Sequence, residues 1–169
     1  NYTEVSMAVR ILKISGIIIA LFNIINVLNS SWFFLGIAKF PVNAWLAFNA
    51  CAPSVALYLA GYFSGRDLLM AASLPFMLFF GTCGIFIFGW SGTAIYAQVG
   101  HIAMTMASAW IITKIIIEKK LKVSAAGFFS GIFVFALILP VQQNYLKSHP
   151  EYVKKLGDST FEEFINDKR

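Results

Sequence analysis

Apolar residues in this chain come in long blocks separated by short polar or glycine- and proline-containing stretches. Blocks at about 14–34, 44–63, 68–90, 93–117 and 123–139 each come close to the roughly 20 residues that cross a bilayer as one helix. The predicted architecture is all-α. Residues 1–140 form a polytopic integral membrane helical bundle of five transmembrane helices, and residues 141–169 form a polar C-terminal tail with short surface helices.

Polar residues inside the blocks are periodic. Gln98, His101, Thr105 and Ser108 recur at i, i+3, i+7 and i+10, which places them on one face of the fourth helix. Asn23, Asn26 and Ser30 repeat at i, i+3 and i+7 in the first. A polar stripe on a membrane helix faces protein or a water-filled cavity, not lipid. Two readings follow for these residues. One is an interhelical polar network in which His101 hydrogen-bonds the Asn23 and Asn26 stripe; the other is a ligand-binding site. His101 is the one ionisable side chain well inside an apolar block, and a neutral imidazole both donates and accepts.

Small residues mark the expected packing surfaces. Gly61 and Gly65 form a GxxxG pair, as do Gly127 and Gly131, while Gly81 and Gly84 offer further points of close approach. Pro53 and Pro75 are predicted to bend the second and third helices, Pro53 by freeing the Asn49 carbonyl, and Pro140 to close the fifth. Gly89-Trp90-Ser91-Gly92 reads as a tight turn that makes helices three and four antiparallel. In the tail, Pro150 opens a short helix ending near Gly157. Ser159 and Glu162 read as the capping box of a second helix carrying Phe161, Phe164 and Ile165.

Charge sets the expected orientation. With five spans, Arg10, Lys13, Arg66, Lys114, Lys119, Lys120 and Lys122 share one side, and Lys39 alone lies in the opposite short loops. Basic residues in short loops stay inside, so the N-terminus is expected in the cytoplasm and the tail outside. The net charge of +5 is spread over helix ends and tail, which suits topology and anionic headgroups rather than nucleic acid.

Composition agrees with a lipid solvent. The 169 residues are 59% hydrophobic and 12% charged, with a mean hydropathy of +0.74, whereas a soluble domain carries about 25% charged residues. Cys51 and Cys83 sit mid-block and read as buried small hydrophobes. Phosphate-binding loops, paired carboxylates, HExxH and GxSxG are missing from the sequence, and no acidic residue lies deep in a span, which lowers the case for an ion-coupled carrier. No cofactor is expected. Haem would need a second axial ligand beside His101, such as Met77, and copper or zinc would need three or four ligands. The expected role is a non-catalytic membrane subunit or accessory protein, partnered by the bilayer and by membrane subunits or copies of itself. The alternative is a binding or transport component for a small neutral solute held around His101.

Overall fold

The computed structural model describes residues 2–49, 51–87, 90 and 94–158, and these hold helices and connections with no strand. Four helices are long and apolar enough to cross a membrane, and a bent pair brings the number up to five. The all-α membrane bundle is thus the fold of the chain. The fourth span, α6 (Ala94–Glu118), follows its predicted block closely.

The first helix, α1 (Tyr2–Ser31), runs on into a π-helical turn, Trp32–Ile37. That turn closes through the N–H groups of Ala38 and Phe40, which donate to the carbonyls of Phe33 and Phe34 at 2.8 and 2.9 Å. After Pro41 the chain forms α2 (Val42–Phe48) and then α3 (Cys51–Ser64), with 82° between their axes. The bend predicted at Pro53 is therefore misplaced. Pro53 is the third residue of α3, in the first turn, where its missing N–H has no helical acceptor to lose. The break lies ahead of it, at Asn49, whose carbonyl accepts the Ala52 N–H at 2.9 Å.

The third span is assembled from α4 (Asp67–Phe76), a π-helical segment Met77–Cys83 and α5 (Gly84–Ile87). Pro75 cannot donate to the Ala71 carbonyl, and the widened π turns follow directly after it. The predicted turn around Gly89, Ser91 and Gly92, like Phe88, Thr93 and the second tail helix at 159–165, lies outside the described residues. Cys83 is exposed, not buried, and Cys51 is half-buried.

Pro140 does not close the fifth span. Helix α7 (Leu121–Ser148) continues two turns beyond it. Pro140 is exposed and removes only the bond to the Ala136 carbonyl, and the extension is pinned by Gln142 Nε2, which donates to the Ala47 carbonyl at 2.6 Å. The tail helix α8 (Pro150–Asp158) starts where Pro150 predicts.

Helix α6 packs antiparallel to α1. Trp110 Nε1 donates to the Leu12 carbonyl at 2.9 Å near one end, and Asn23 Nδ2 donates to the Ala103 carbonyl at 3.1 Å mid-bundle. Buried Val55, Tyr58, Met77, Met104 and Ile111 fill the centre. On the other flank α4 and α7 run parallel, their backbones brought together by glycine. A Cβ on Gly127 or Gly131 would collide with the Leu68 and Ala72 carbonyls, and one on Gly61 would sit 2.7 Å from the Met70 amide. Gly65 does no packing. It has φ +68 and nothing within 4 Å of a built Cβ, so glycine is there for the α3–α4 turn.

The two ends of the bundle are closed differently. At one end Lys114 Nζ lies 2.6 Å from Asp67 and 2.7 Å from Glu118, and Lys120 Nζ lies 2.7 and 2.8 Å from the same carboxylates. This network joins the starts of α4 and α7 to the end of α6. At the other end Lys155 Nζ donates to the Ala38 carbonyl at 2.9 Å, 5.7 Å from the Phe40 ring centre, and Tyr152 packs on that ring.

The glycine contacts give a first prediction. Gly131→Leu must push α7 off the Ala72 carbonyl, and overpacking of this kind costs about 1–3 kcal/mol or more. Phe129 is 67% exposed, so Phe129→Leu should cost little. Thermal unfolding in one detergent should show a clearly lower Tm for Gly131→Leu alone. Equal shifts would mean that α4 and α7 are not in this close register.

Candidate functional site

Helix α6 has two buried faces, and the predicted polar residues divide between them. At about 100° per residue, Gly100, Ala103 and Ala107 lie roughly 140° around the helix from the centre of the Gln98, His101, Thr105 and Ser108 stripe. The first face meets α1. There Asn23, fully buried, donates from Nδ2 to the carbonyls of Ile19 and Ala103 at 2.9 and 3.1 Å. Asn26 lies on Gly100, where a Cβ would be 3.0 Å from its Nδ2.

The second face meets the π-helical segment and α5. Gln98 Nε2 donates to the Ile85 carbonyl at 3.3 Å, and His101 Nδ1 donates to Gln98 Oε1 at 3.2 Å. Ile85 is in the last turn of its helix, where carbonyls lack helical partners, so Gln98 acts there as a cap supplied by a neighbouring helix. Trp90 Nε1 reaches the same carbonyl at 3.2 Å. The His101 ring lies flat on Gly84, where a Cβ would come within 2.7 Å of three ring atoms. Thr105, beside Gly81, donates to the His101 carbonyl at 2.9 Å, and Ser108 donates to the Met104 carbonyl at 2.9 Å. Hydroxyls of this kind settle on their own helix by bonding four residues back.

The expected His101 bond to Asn23 and Asn26 is therefore not the arrangement found. Both stripes are turned inward, but on α6 the small residues take the α1 side and leave the imidazole facing Gly84. Ser30, the third member of the first stripe, accepts instead from Asn49 Nδ2 at the α2–α3 break.

That break is a polar junction not anticipated as a unit. Ser30 of α1, Asn49 between α2 and α3, and Gln142 of α7 meet there, with the Ala47 carbonyl as the acceptor for Gln142. Its signal in the sequence was Asn49, an amide inside an apolar block. Among the described residues four buried side-chain polar atoms have no hydrogen-bond partner: Asn23 Oδ1, Trp45 Nε1, the Tyr58 hydroxyl and Ser124 Oγ, of which Asn23 and Tyr58 lie on residues with 0% exposure. An open apolar groove of about 480 Å³ runs between α1 and α6 along Leu12, Ser15, Met106, Trp110 and Thr113, apart from the His101 face.

Among the described residues no three of His, Cys, Asp and Glu gather as a metal site. Comparison with protein-family models, with curated proteins and with solved structures gave no match.

The geometry around His101 predicts a specific coupling. Gly84→Ala should destabilise the protein by about 1–3 kcal/mol through overpacking, and His101→Ala should remove most of that loss by making room. His101→Leu and Asn26→Leu, by contrast, should add to within about 0.5 kcal/mol because they share no partner. Double-mutant cycles on thermal stability measure both. Additive Gly84 and His101 effects, or strongly coupled His101 and Asn26 effects, would reject this placement of the imidazole.

Proposed function

We propose that the chain is a non-catalytic integral membrane protein that serves as a subunit or accessory of a larger membrane assembly. The observation carrying this reading is the outer face of α3. Pro53, Ala56, Ala60 and Ser64 are all exposed there, at i, i+3, i+7 and i+11. Small residues on a membrane helix allow another helix to approach closely. Helix α3 is also 14 residues long, about 21 Å at 1.5 Å per residue, against a hydrocarbon core of about 30 Å. A short helix with a small-residue face is better solvated by a protein helix than by lipid chains.

A second reading has the bundle holding a small neutral solute in its interior, on the α1 side of α6 rather than against His101. Its support is the pair of interior polar atoms, Asn23 Oδ1 and the Tyr58 hydroxyl, that a hydrogen-bonding solute would satisfy. Native mass measurement after extraction in mild detergent separates the two. Co-extracted membrane protein that is lost with Ala56→Leu and Ala60→Leu, at unchanged Tm, is the outcome expected from a docking face on α3. A monomer carrying a small solute that is lost with Tyr58→Phe would replace it with the second reading.

Orientation completes the proposal. The helix packing gathers Arg10, Lys13, Arg66, Lys114, Lys119, Lys120 and Lys122 at the end opposite Lys39 and α8, and the basic end is expected to face the cytoplasm. In a variant without Cys51 and Cys83, an impermeant thiol reagent applied to whole cells should label Pro150→Cys and spare Lys119→Cys. The reverse pattern would invert the topology.

A further inference from the structure

The ionic end of the bundle carries more positive charge than its own acids can hold. Asp67 and Glu118 are each shared between Lys114 and Lys120. The hydrogen bonds to Asp67 and then Glu118 hold the Lys120 ammonium above its ordinary range, so it stays charged and committed to them. Around this closed network stand Arg66, adjacent to Asp67, Lys119, adjacent to Lys120, and Lys122, two residues beyond it. All three are exposed, and none is in an ion pair among the described residues. Since Lys120 bridges to Asp67 at 2.7 Å, the α3–α4 turn and the α6–α7 turn that carry these three cations lie next to one another at the same end of the bundle.

The backbone at Lys119 points the same way. Lys119 forms the α6–α7 turn at φ +55, where its amide donates to the Ile116 carbonyl at 3.3 Å and the Lys120 amide to that of Ile115 at 3.2 Å. Glycine would adopt this conformation without penalty, whereas a side chain there is strained. A cation is held at the turn despite that strain. Beside the three cations Leu68, Leu121 and Val123 are exposed, at the first turns of their spans. Charge at headgroup level with uncovered apolar surface next to it matches the two halves of a phospholipid. A soluble anion would use only the first.

We propose that Arg66, Lys119 and Lys122 form a binding site for the phosphate headgroup of an anionic phospholipid whose chains lie on Leu68, Leu121 and Val123. Bound there, the lipid neutralises the excess charge and joins the α3–α4 and α6–α7 turns. The site is independent of whether the chain is a subunit or a solute binder.

The test uses the full chain in mixed micelles, titrated with phosphatidylglycerol or with phosphatidylcholine, reading Tm and the lipid retained in native mass measurement. Phosphatidylglycerol should raise Tm and remain bound. A basic residue near an anionic surface contributes about fivefold in affinity, so the variant carrying Arg66→Gln, Lys119→Gln and Lys122→Gln should need roughly a hundredfold more of it. Lys39→Gln with Lys147→Gln, at the opposite end, should leave the titration unchanged. Glycerol phosphate, the headgroup without chains, should not raise Tm at the same concentration. Equal stabilisation by the two lipids, an unchanged titration in the triple variant, or full stabilisation by glycerol phosphate would each overturn the proposal. Lys119→Gly supplies a variant that relieves the turn, so a loss of lipid retention there cannot be ascribed to misfolding.

Discussion

The bundle depends on one kind of bond: a side-chain N–H on one segment donating to a main-chain carbonyl of another. Asn23 donates to Ala103, Trp110 to Leu12, Gln98 to Ile85 and Gln142 to Ala47. Two of these tie the first span to the fourth, one ties the third span to the fourth by capping a helix end, and one ties the fifth span to α2. A helical carbonyl already accepts one N–H, and its second lone pair is free to accept another. In hydrocarbon an amide or indole N–H left alone costs several kcal/mol, which favours bringing these donors to a carbonyl; the buried Trp45 Nε1 is an exception among the described residues. Reaching a carbonyl demands close backbones, which is why Asn23 and Asn26 face Ala103 and Gly100 rather than larger residues.

Much of this was legible in the sequence, because length and hydropathy act over whole blocks. The spans, the small α8 helix at Pro150 and the close contacts of Gly127 and Gly131 follow from residue type alone. What failed is instructive. Proline was read as a breaker at three places and behaved differently at each. Pro53 falls in a first turn where it removes nothing, Pro75 is followed by widened π turns, and Pro140 is overridden by a tertiary bond that local sequence does not announce, that of Gln142 to Ala47. The His101 stripe was correctly periodic, but periodicity gives a face and not a neighbour. On a helix buried on two sides, the residues that decide which side meets α1 were Gly100, Ala103 and Ala107, which carry no polar signal.

The two ends differ in what holds them. One is closed by ammonium and carboxylate groups, whose attraction is weakened by salt when exposed. The other is closed by rings: Phe34, Phe40 and Phe48 packed together, Tyr152 on Phe40, and His149 stacked on Tyr145 at 4.1 Å. Aromatic contacts of this sort are much less sensitive to ionic strength. High salt therefore loosens the helix ends around Asp67 more than it loosens the ring contacts beneath α8, to which the Lys155 ammonium adds its bond to the Ala38 carbonyl.

The shortness of α3 has a mechanical consequence for the surrounding bilayer. Its apolar wall is about 21 Å tall, while α1 and α7, at 30 and 28 residues, exceed the core thickness. Lipid around the protein is thus asked to match a tall surface on one flank and a low one on another. Hydrocarbon chains beside α3 must compress or tilt, at a cost of fractions of a kcal/mol for each ångström of mismatch. That cost is elastic energy stored in the lipid, and it falls when two low flanks share one dimple. In a bilayer thicker than this wall, sharing a dimple would lower that elastic energy before any side chains touch.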